Sequence, residues 1–155
     1  MDVNRLAKTV NQSIGGISLF RHENESSIGM QDYLKAIAIL SNGDSRVTTT
    51  QLSKHNKVAP ATVTEMLKKL AEKGFVNYLP RHGVKLTLKG TVEAQRIIRK
   101  YVLLERLFSD ILHLKEEKVH SQACAMEHAL SDDVEEALYR FLNRVDKTPT
   151  VKLLV

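Results

Sequence analysis

The segment from Val119 to Leu138, VHSQACAMEHALSDDVEEAL, constrains this chain more than any other. It holds the only cysteine, Cys124, together with His120, Glu127 and His128. Read as helix as far as Leu130, it places these four side chains within one arc of about 100°. Val119, Ala123, Met126 and Leu130 form an apolar arc beside it. One face therefore suits a core, and the other gathers residue types that ligate metals. Ser131 is expected to cap a further helix, with Asp132, Asp133, Glu135 and Glu136 in its first turns.

Two readings fit the polar face. Cys124, Glu127 and His128 stand at i, i+3 and i+4, so they can converge on one ion. Thiolate, carboxylate and imidazole together suit a transition metal better than magnesium or calcium. Alternatively, Cys124 is a small buried hydrophobe and its neighbours are solvated. The spacing is not a closed CxxC…CxxC pattern, and it leaves both readings open.

A chain of 155 residues fits one globular unit or two small ones sharing a core. No apolar run approaches the ~20 residues of a membrane span, and the N-terminus lacks the apolar core of a signal peptide. A lone cysteine makes no internal disulfide, which agrees with a reducing cytoplasm. The net charge of +5 is unevenly spread: residues 46–100 carry 12 basic and 3 acidic side chains. Residues 101–155 carry 7 basic and 10 acidic ones. A basic middle beside an acidic end points to a polyanionic partner for the middle.

The order of elements sharpens that expectation. Residues 1–27, with Gly15-Gly16 and ENESS, read as an N-terminal arm. From Ile28 to Leu40 the pattern is helical: Leu34, Ile37 and Ala38 make a stripe that Tyr33 and Ile39 widen. Asp32 is near the start of this helix, where a carboxylate favours the dipole, and Ser41-Asn42-Gly43-Asp44 ends it. Thr48 or Thr49 caps a short second helix ending near His55-Asn56-Lys57. Pro60 opens the next in its first turn. There Val63, Met66, Leu67 and Leu70 stand at i, i+3, i+4 and i+7 and bury one face, and Gly74 terminates it.

Phe75 to Leu79 reads as a strand, Pro80 to Gly83 as a turn, and Val84 to Leu88 as the return strand. Two short helices, a turn and a basic hairpin make a winged helix-turn-helix, which sets its second helix in the DNA major groove. A long helix then runs from near Thr87 to about Leu112. Val92, Ile97, Ile98, Leu103, Leu104, Leu107, Phe108, Ile111 and Leu112 give it a broad apolar surface that suits a dimer seam or a deep core. Lys115 opens the cysteine-bearing helix, and a last helix covers about Asp132 to Asn143, before Pro149 and an apolar tail.

This order of parts, with HxxxCxxEH from His120 to His128 ahead of LSDDVE, resembles the diphtheria-toxin-repressor family of iron- or manganese-dependent transcriptional repressors. The resemblance covers about residues 28–147. KYVLLERLF, TVTEMLKKLAEKGFV and VKLTLKG add to it. It implies a mainly α fold: a winged helix-turn-helix with a small β-hairpin wing at 28–90, then an all-helical metal-binding and dimerisation domain at 91–147. The arm 1–27 and tail 148–155 flank them. The implied form is short, without the SH3-like domain that many relatives carry.

One metal site of the family corresponds to Asp32, Cys124, Glu127 and His128. Aspartate at the first position belongs to the manganese branch and cysteine at the second to the iron branch, so the sequence mixes the two. Lys35 stands where the manganese branch has a further carboxylate. Fe²⁺ is the expected ion, with Mn²⁺ next and other divalent transition metals as substitutes. An ancillary site corresponds to Glu105 and His120, but Tyr101 stands where the family's long helix carries a histidine.

The reading helix begins at Pro60. Ala61, Thr62 and Glu65 face bases, Thr64, Lys68 and Lys69 face phosphates, and Thr49 contributes from the preceding helix. Arg81, His82 and Lys85 belong to the wing. The resemblance thus implies a homodimeric repressor of metal homeostasis on palindromic operators, with no membrane and no small-molecule substrate beyond the ion. A winged-helix regulator that senses no metal is the alternative. A metalloenzyme is disfavoured, because no separate general base, phosphate loop or substrate-pocket signature accompanies the ligand face.

Overall fold

The computed structural model describes residues 21–41 and 45–145. The expected arm as far as residue 20, residues 42–44 of the first turn, and the chain from residue 146 with Pro149 and the tail lie outside the described residues. The chain divides after Gly90 into two compact units.

The first unit is the expected winged helix. Its elements are α1 (Arg21–Leu40), α2 (Thr49–Asn56), α3 (Pro60–Glu72), β1 (Val76–Leu79) and β2 (Gly83–Leu86). Helix α1 begins at Arg21, seven residues before Ile28. Arg21 to Ser27 is polar and carries no apolar period, so the sequence gives no sign of helix there, although elongation of a formed helix needs none. Tyr33, Leu34, Ala36 and Ile37 are buried, whereas Ile39 is 56% exposed. Ile39 lies about 200° around the helix from Ile37 and cannot share its stripe.

Local sequence sets the ends of α2 and α3. Thr48 is the N-cap of α2: its Oγ1 accepts from the Gln51 N–H at 3.2 Å, and Gln51 Oε1 accepts from the Thr48 N–H at 2.8 Å. This reciprocal box satisfies two donors that a helix start leaves open. Pro60 occupies the first turn of α3. Gly74 ends that helix with φ +75°, while the Phe75 N–H reaches Leu70 O at 2.9 Å and the Gly74 N–H reaches Ala71 O at 2.9 Å. This is the Schellman pattern. Lys89 closes the same end by donating to Lys73 O at 3.0 Å, its Nζ 4.4 Å from the Phe75 ring centroid.

Val63, Leu67 and Leu70 of α3 are fully buried with Leu52, Val47 and Val84, while Met66 is half-buried. Each such side chain contributes about 1.5–3 kcal/mol by leaving water. The hairpin pairs Val76 with Leu86 and Leu79 with Gly83, and a bridge from Val47 to Val84 adds a third short rung. Arg46 ties the hairpin down by donating to Asn77 O at 3.0 Å and Gly83 O at 3.4 Å. Gly83 and Gly90 are sterically required. A Cβ would sit 2.5 Å from Val47 O at the first and 1.9 Å from Phe75 O at the second.

The second unit is helical. Helix α4 (Leu88–Arg106) starts before Gly90 and continues through Thr91 into this unit. A π-helical turn follows at Leu107–Ile111, with the Leu112 N–H on Leu107 O at 3.0 Å. Then come α5 (Glu116–Met126) and α6 (Asp132–Val145). Leu104, Phe108, Val119 and Ala123 form the core, with Tyr101, Leu107, Leu130 and Leu138 packed against them. Of the broad stripe expected on α4, Ile97, Leu103, Leu104 and Phe108 are buried. Val92 is 59% and Leu112 54% exposed. Among the described residues no helix is long and apolar enough to cross a membrane.

Candidate metal centre and nucleic-acid face

The cysteine-bearing helix α5 ends at Met126, four residues before the expected Leu130. Glu127 keeps helical dihedrals, φ −57° and ψ −34°, and its N–H bonds to Ala123 O at 3.0 Å. Cys124 and Glu127 therefore stay one turn apart, while His128 sits in the turn that follows. That turn is held from α4. Lys100 Nζ donates to Leu130 O at 2.6 Å and to Asp132 Oδ1 at 3.1 Å. Arg96 pairs with Asp132 as well, and Arg99 Nε lies 2.9 Å from Glu135 Oε1. The Arg96 guanidinium, then the Lys100 ammonium, hold the Asp132 carboxyl below its usual range. Ser131 caps α6, its carbonyl accepting from the Glu135 N–H at 2.9 Å.

Burial on the polar face is uneven, and at Glu127 and His128 it departs from a solvated face. Glu127 is 0% exposed and the His128 side chain 8%, with His128 Nε2 at 3.4 Å from Glu127 Oε1. Cys124 is half-buried and His120 exposed. A carboxylate removed from water is costly unless a cationic or hydrogen-bonding partner compensates it. Buried carboxylate, imidazole and an adjacent thiol are together a donor set that fits a divalent transition ion. Asp32 belongs to the first unit, where it is an exposed residue of α1.

Glu105 and His120 are joined by Tyr101. The Tyr101 hydroxyl donates to Glu105 Oε1 and lies 2.9 Å from His120 Nδ1. His120 Nε2 is 3.8 Å from Cys124 Sγ. Burial, and then the bond to Glu105, raise the Tyr101 hydroxyl well above the ordinary phenol range, so it remains protonated.

In the first unit α3 has two distinct faces. Pro60, Ala61, Thr62, Glu65, Lys68 and Lys69 are exposed, opposite buried Val63, Leu67 and Leu70. Thr64 is half-buried, and its Oγ1 donates to Pro60 O at 3.0 Å. Thr49 is half-buried at the first position of α2. Arg81 and His82 are exposed at the hairpin tip, where Arg81 has φ +67° after Pro80, and Lys85 is half-buried on β2. Sequence reasoning missed Arg46, Arg96, Arg99 and Lys100, which bond to groups 30 or more positions away in all four cases.

Residues 27–84 match the family model described as the iron dependent repressor N-terminal DNA binding domain. Residues 87–152 match that of the iron dependent repressor metal binding and dimerisation domain. The chain belongs to the diphtheria-toxin-repressor family. It is 38% identical over 119 residues to an uncharacterised HTH-type transcriptional regulator of Methanocaldococcus jannaschii, covering 76% of this chain and 95% of that one. It is 31% identical to the diphtheria toxin repressor of Corynebacterium efficiens, over 76% of this chain and 51% of the repressor. A solved manganese-dependent transcriptional repressor in complex with manganese superposes with a TM-score of 0.66 at 32% identity. That match covers 74% of this chain and 52% of the repressor's. The chain thus spans about half the length of the named repressors it matches.

Proposed function

We propose that this chain is a metal-dependent transcriptional repressor that takes Fe²⁺ or Mn²⁺ and, as a metal-loaded homodimer, binds palindromic operator DNA. What carries the reading is the fully buried Glu127 carboxylate beside His128, at the end of the helix that bears Cys124. The relatives support it, being named as iron-dependent and manganese-dependent repressors.

Asp32, Cys124, Glu127 and His128 are the proposed ligands. Cys124 ligates as thiolate and His128 as neutral imidazole, so metal affinity falls in acid. The bound ion supplies fixed positive charge that holds these four donors in one arrangement. Linkage between that arrangement and the winged helix needs only about 1–3 kcal/mol to act as a switch. In the dimer, the two α3 helices enter major grooves about one DNA turn, or a multiple of it, apart. Ala61, Thr62 and Glu65 face base edges, while Thr49, Thr64, Lys68, Lys69, Arg81, His82 and Lys85 meet the backbone.

The test is to titrate Mn²⁺, Zn²⁺ and, anaerobically, Fe²⁺ into apo protein and follow binding to a palindromic operator. Metal is expected to raise affinity roughly 5- to 150-fold, with Cys124→Ala and His128→Ala abolishing the gain. Operator affinity that a chelator leaves intact would overturn the metal switch and leave a winged-helix regulator that senses no metal.

A further inference from the structure

Tyr33 of α1 is 7% exposed, and its hydroxyl has the Asn56 side chain within hydrogen-bonding reach. Yet neither Tyr33 Oη nor Asn56 Nδ2, both buried atoms, makes an aligned hydrogen bond with any described residue. Native folds leave few such groups, because a buried donor or acceptor without a partner is costly. An amide N–H and a phenolic oxygen are complementary, so one small movement would satisfy both atoms.

The elements on either side are held differently. Asn56 is the last residue of α2, and Lys57 follows with φ 54° and ψ 42°. Ser53 grips this turn twice: its Oγ donates to Val58 O at 2.7 Å, and its carbonyl accepts from the Val58 N–H at 3.2 Å. Pro60 then starts α3, so α2 and α3 are held as one piece. Helix α1 meets α3 less firmly. There Gly29 faces Met66, and a Cβ on Gly29 would stand 3.7 Å from the methionine's terminal methyl. A bare backbone against a flexible thioether lets two helices shift without a clash.

We propose that Tyr33 and Asn56 form a catch that closes when α3 seats in its operator, joining α1 to the helix-turn-helix only in the sequence-specific complex. Both are then positioning residues, acting on base recognition through the pitch of α3. The catch rests on the DNA-binding half of the proposed function and not on the metal. A contact made in the complex alone adds to affinity and nothing to the stability of the free protein.

The test uses Tyr33→Phe, which keeps the ring and removes the hydroxyl. The matched probe is the duplex that the unaltered protein selects from a randomised palindromic library, and a scrambled duplex is the control. Urea denaturation reads the free protein, and fluorescence anisotropy reads both duplexes with and without Mn²⁺. The free variant is expected to be at least as stable as the unaltered protein. Its affinity for the matched duplex is expected to fall about 2- to 12-fold, the net worth of one hydrogen bond. Affinity for the scrambled duplex and its salt slope, which report phosphates, are expected to stay the same. Asn56→Leu should lose the same factor, and the double variant no more than either single one. A free variant that loses stability shows the bond already made and overturns the catch. So do unchanged affinity for the matched duplex, an equal loss on both duplexes, or additive losses in the double variant. If Mn²⁺ changes nothing in the unaltered protein, the metal switch fails and the matched-to-scrambled ratio still decides the catch. An unaltered protein that selects no duplex loses both the DNA reading and the catch.

Discussion

Lys100 Nζ donates to the Leu130 carbonyl across 2.6 Å, from a side chain that is 8% exposed. Leu130 lies two residues beyond His128, so a charge on α4 fixes the end of the segment that presents Glu127 and His128. The same ammonium lies 3.1 Å from Asp132 and 3.9 Å from Glu135. One buried cation thus fastens the exit of α5 and the entry of α6.

Removing that cation should weaken both the fold and the segment that carries the proposed ligands Glu127 and His128. Lys100→Met keeps the aliphatic stem but leaves the Leu130 carbonyl without this donor. A hydrogen bond to a charged group contributes about 1.5–3 kcal/mol, and a loss of that order is expected in urea denaturation. Mn²⁺ affinity should fall with it. Unchanged stability would mean that the carbonyl finds water instead.

Acid should loosen the same corner. Arg96 and then Lys100 depress the Asp132 carboxyl below its ordinary value. A carboxyl that binds its proton more weakly in the folded state stabilises the fold above the unfolded value, near pH 4. That contribution disappears as pH falls through the lower, folded value. Asp132→Asn should therefore be less stable than the unaltered protein at neutral pH, with the difference shrinking below about pH 4. Thermal denaturation across pH 2–7 checks this, and a constant difference would contradict it.

The two glycines that flank the hairpin should respond differently to alanine. Gly74 has φ +75° but open space around its missing side chain, so Gly74→Ala should cost about 1–2 kcal/mol of backbone strain. Gly90→Ala would set a Cβ 1.9 Å from the Phe75 carbonyl oxygen, which already accepts from the Thr87 N–H at 2.9 Å. Backbone must shift to relieve that contact, and a cost of about 3 kcal/mol or more is expected. Equal losses at the two positions would refute the close approach.

These positions also show what could be read ahead of the structure. Thr48, Pro60 and Gly74 act through neighbours a few residues away, so their roles follow from local sequence, and the period of α3 picked out Val63, Leu67 and Leu70. The end of α5 at Met126 was not legible. It depends on Lys100 reaching the Leu130 carbonyl and on Ser131 capping α6, and no helical period reports either. Arg96, Arg99 and Lys100 read as solvated charges until their acidic partners on α6 are seen. Tyr101 was legible only as a departure from the family pattern. Its hydroxyl reaches from α4 to His120 on α5, a contact between helices that no local period reports.

The exposed basic edge of α3 offers the most direct test of DNA binding. Lys68 and Lys69 are exposed there, opposite the buried stripe, and Glu65 lies within the same face. Each phosphate neutralised on duplex DNA adds about 0.9 to the slope of log affinity against log salt. Lys68→Glu with Lys69→Glu should therefore weaken binding to every sequence and reduce the slope by about 2 if both side chains meet phosphates. Ala61 and Thr62 touch bases in the same reading, so their replacement should change which operator is preferred while leaving the slope unaltered. Fluorescence anisotropy with a matched and a scrambled operator, between about 50 and 200 mM salt, separates the two effects. An unaltered slope in the lysine double variant would remove α3 as the surface that meets the phosphates.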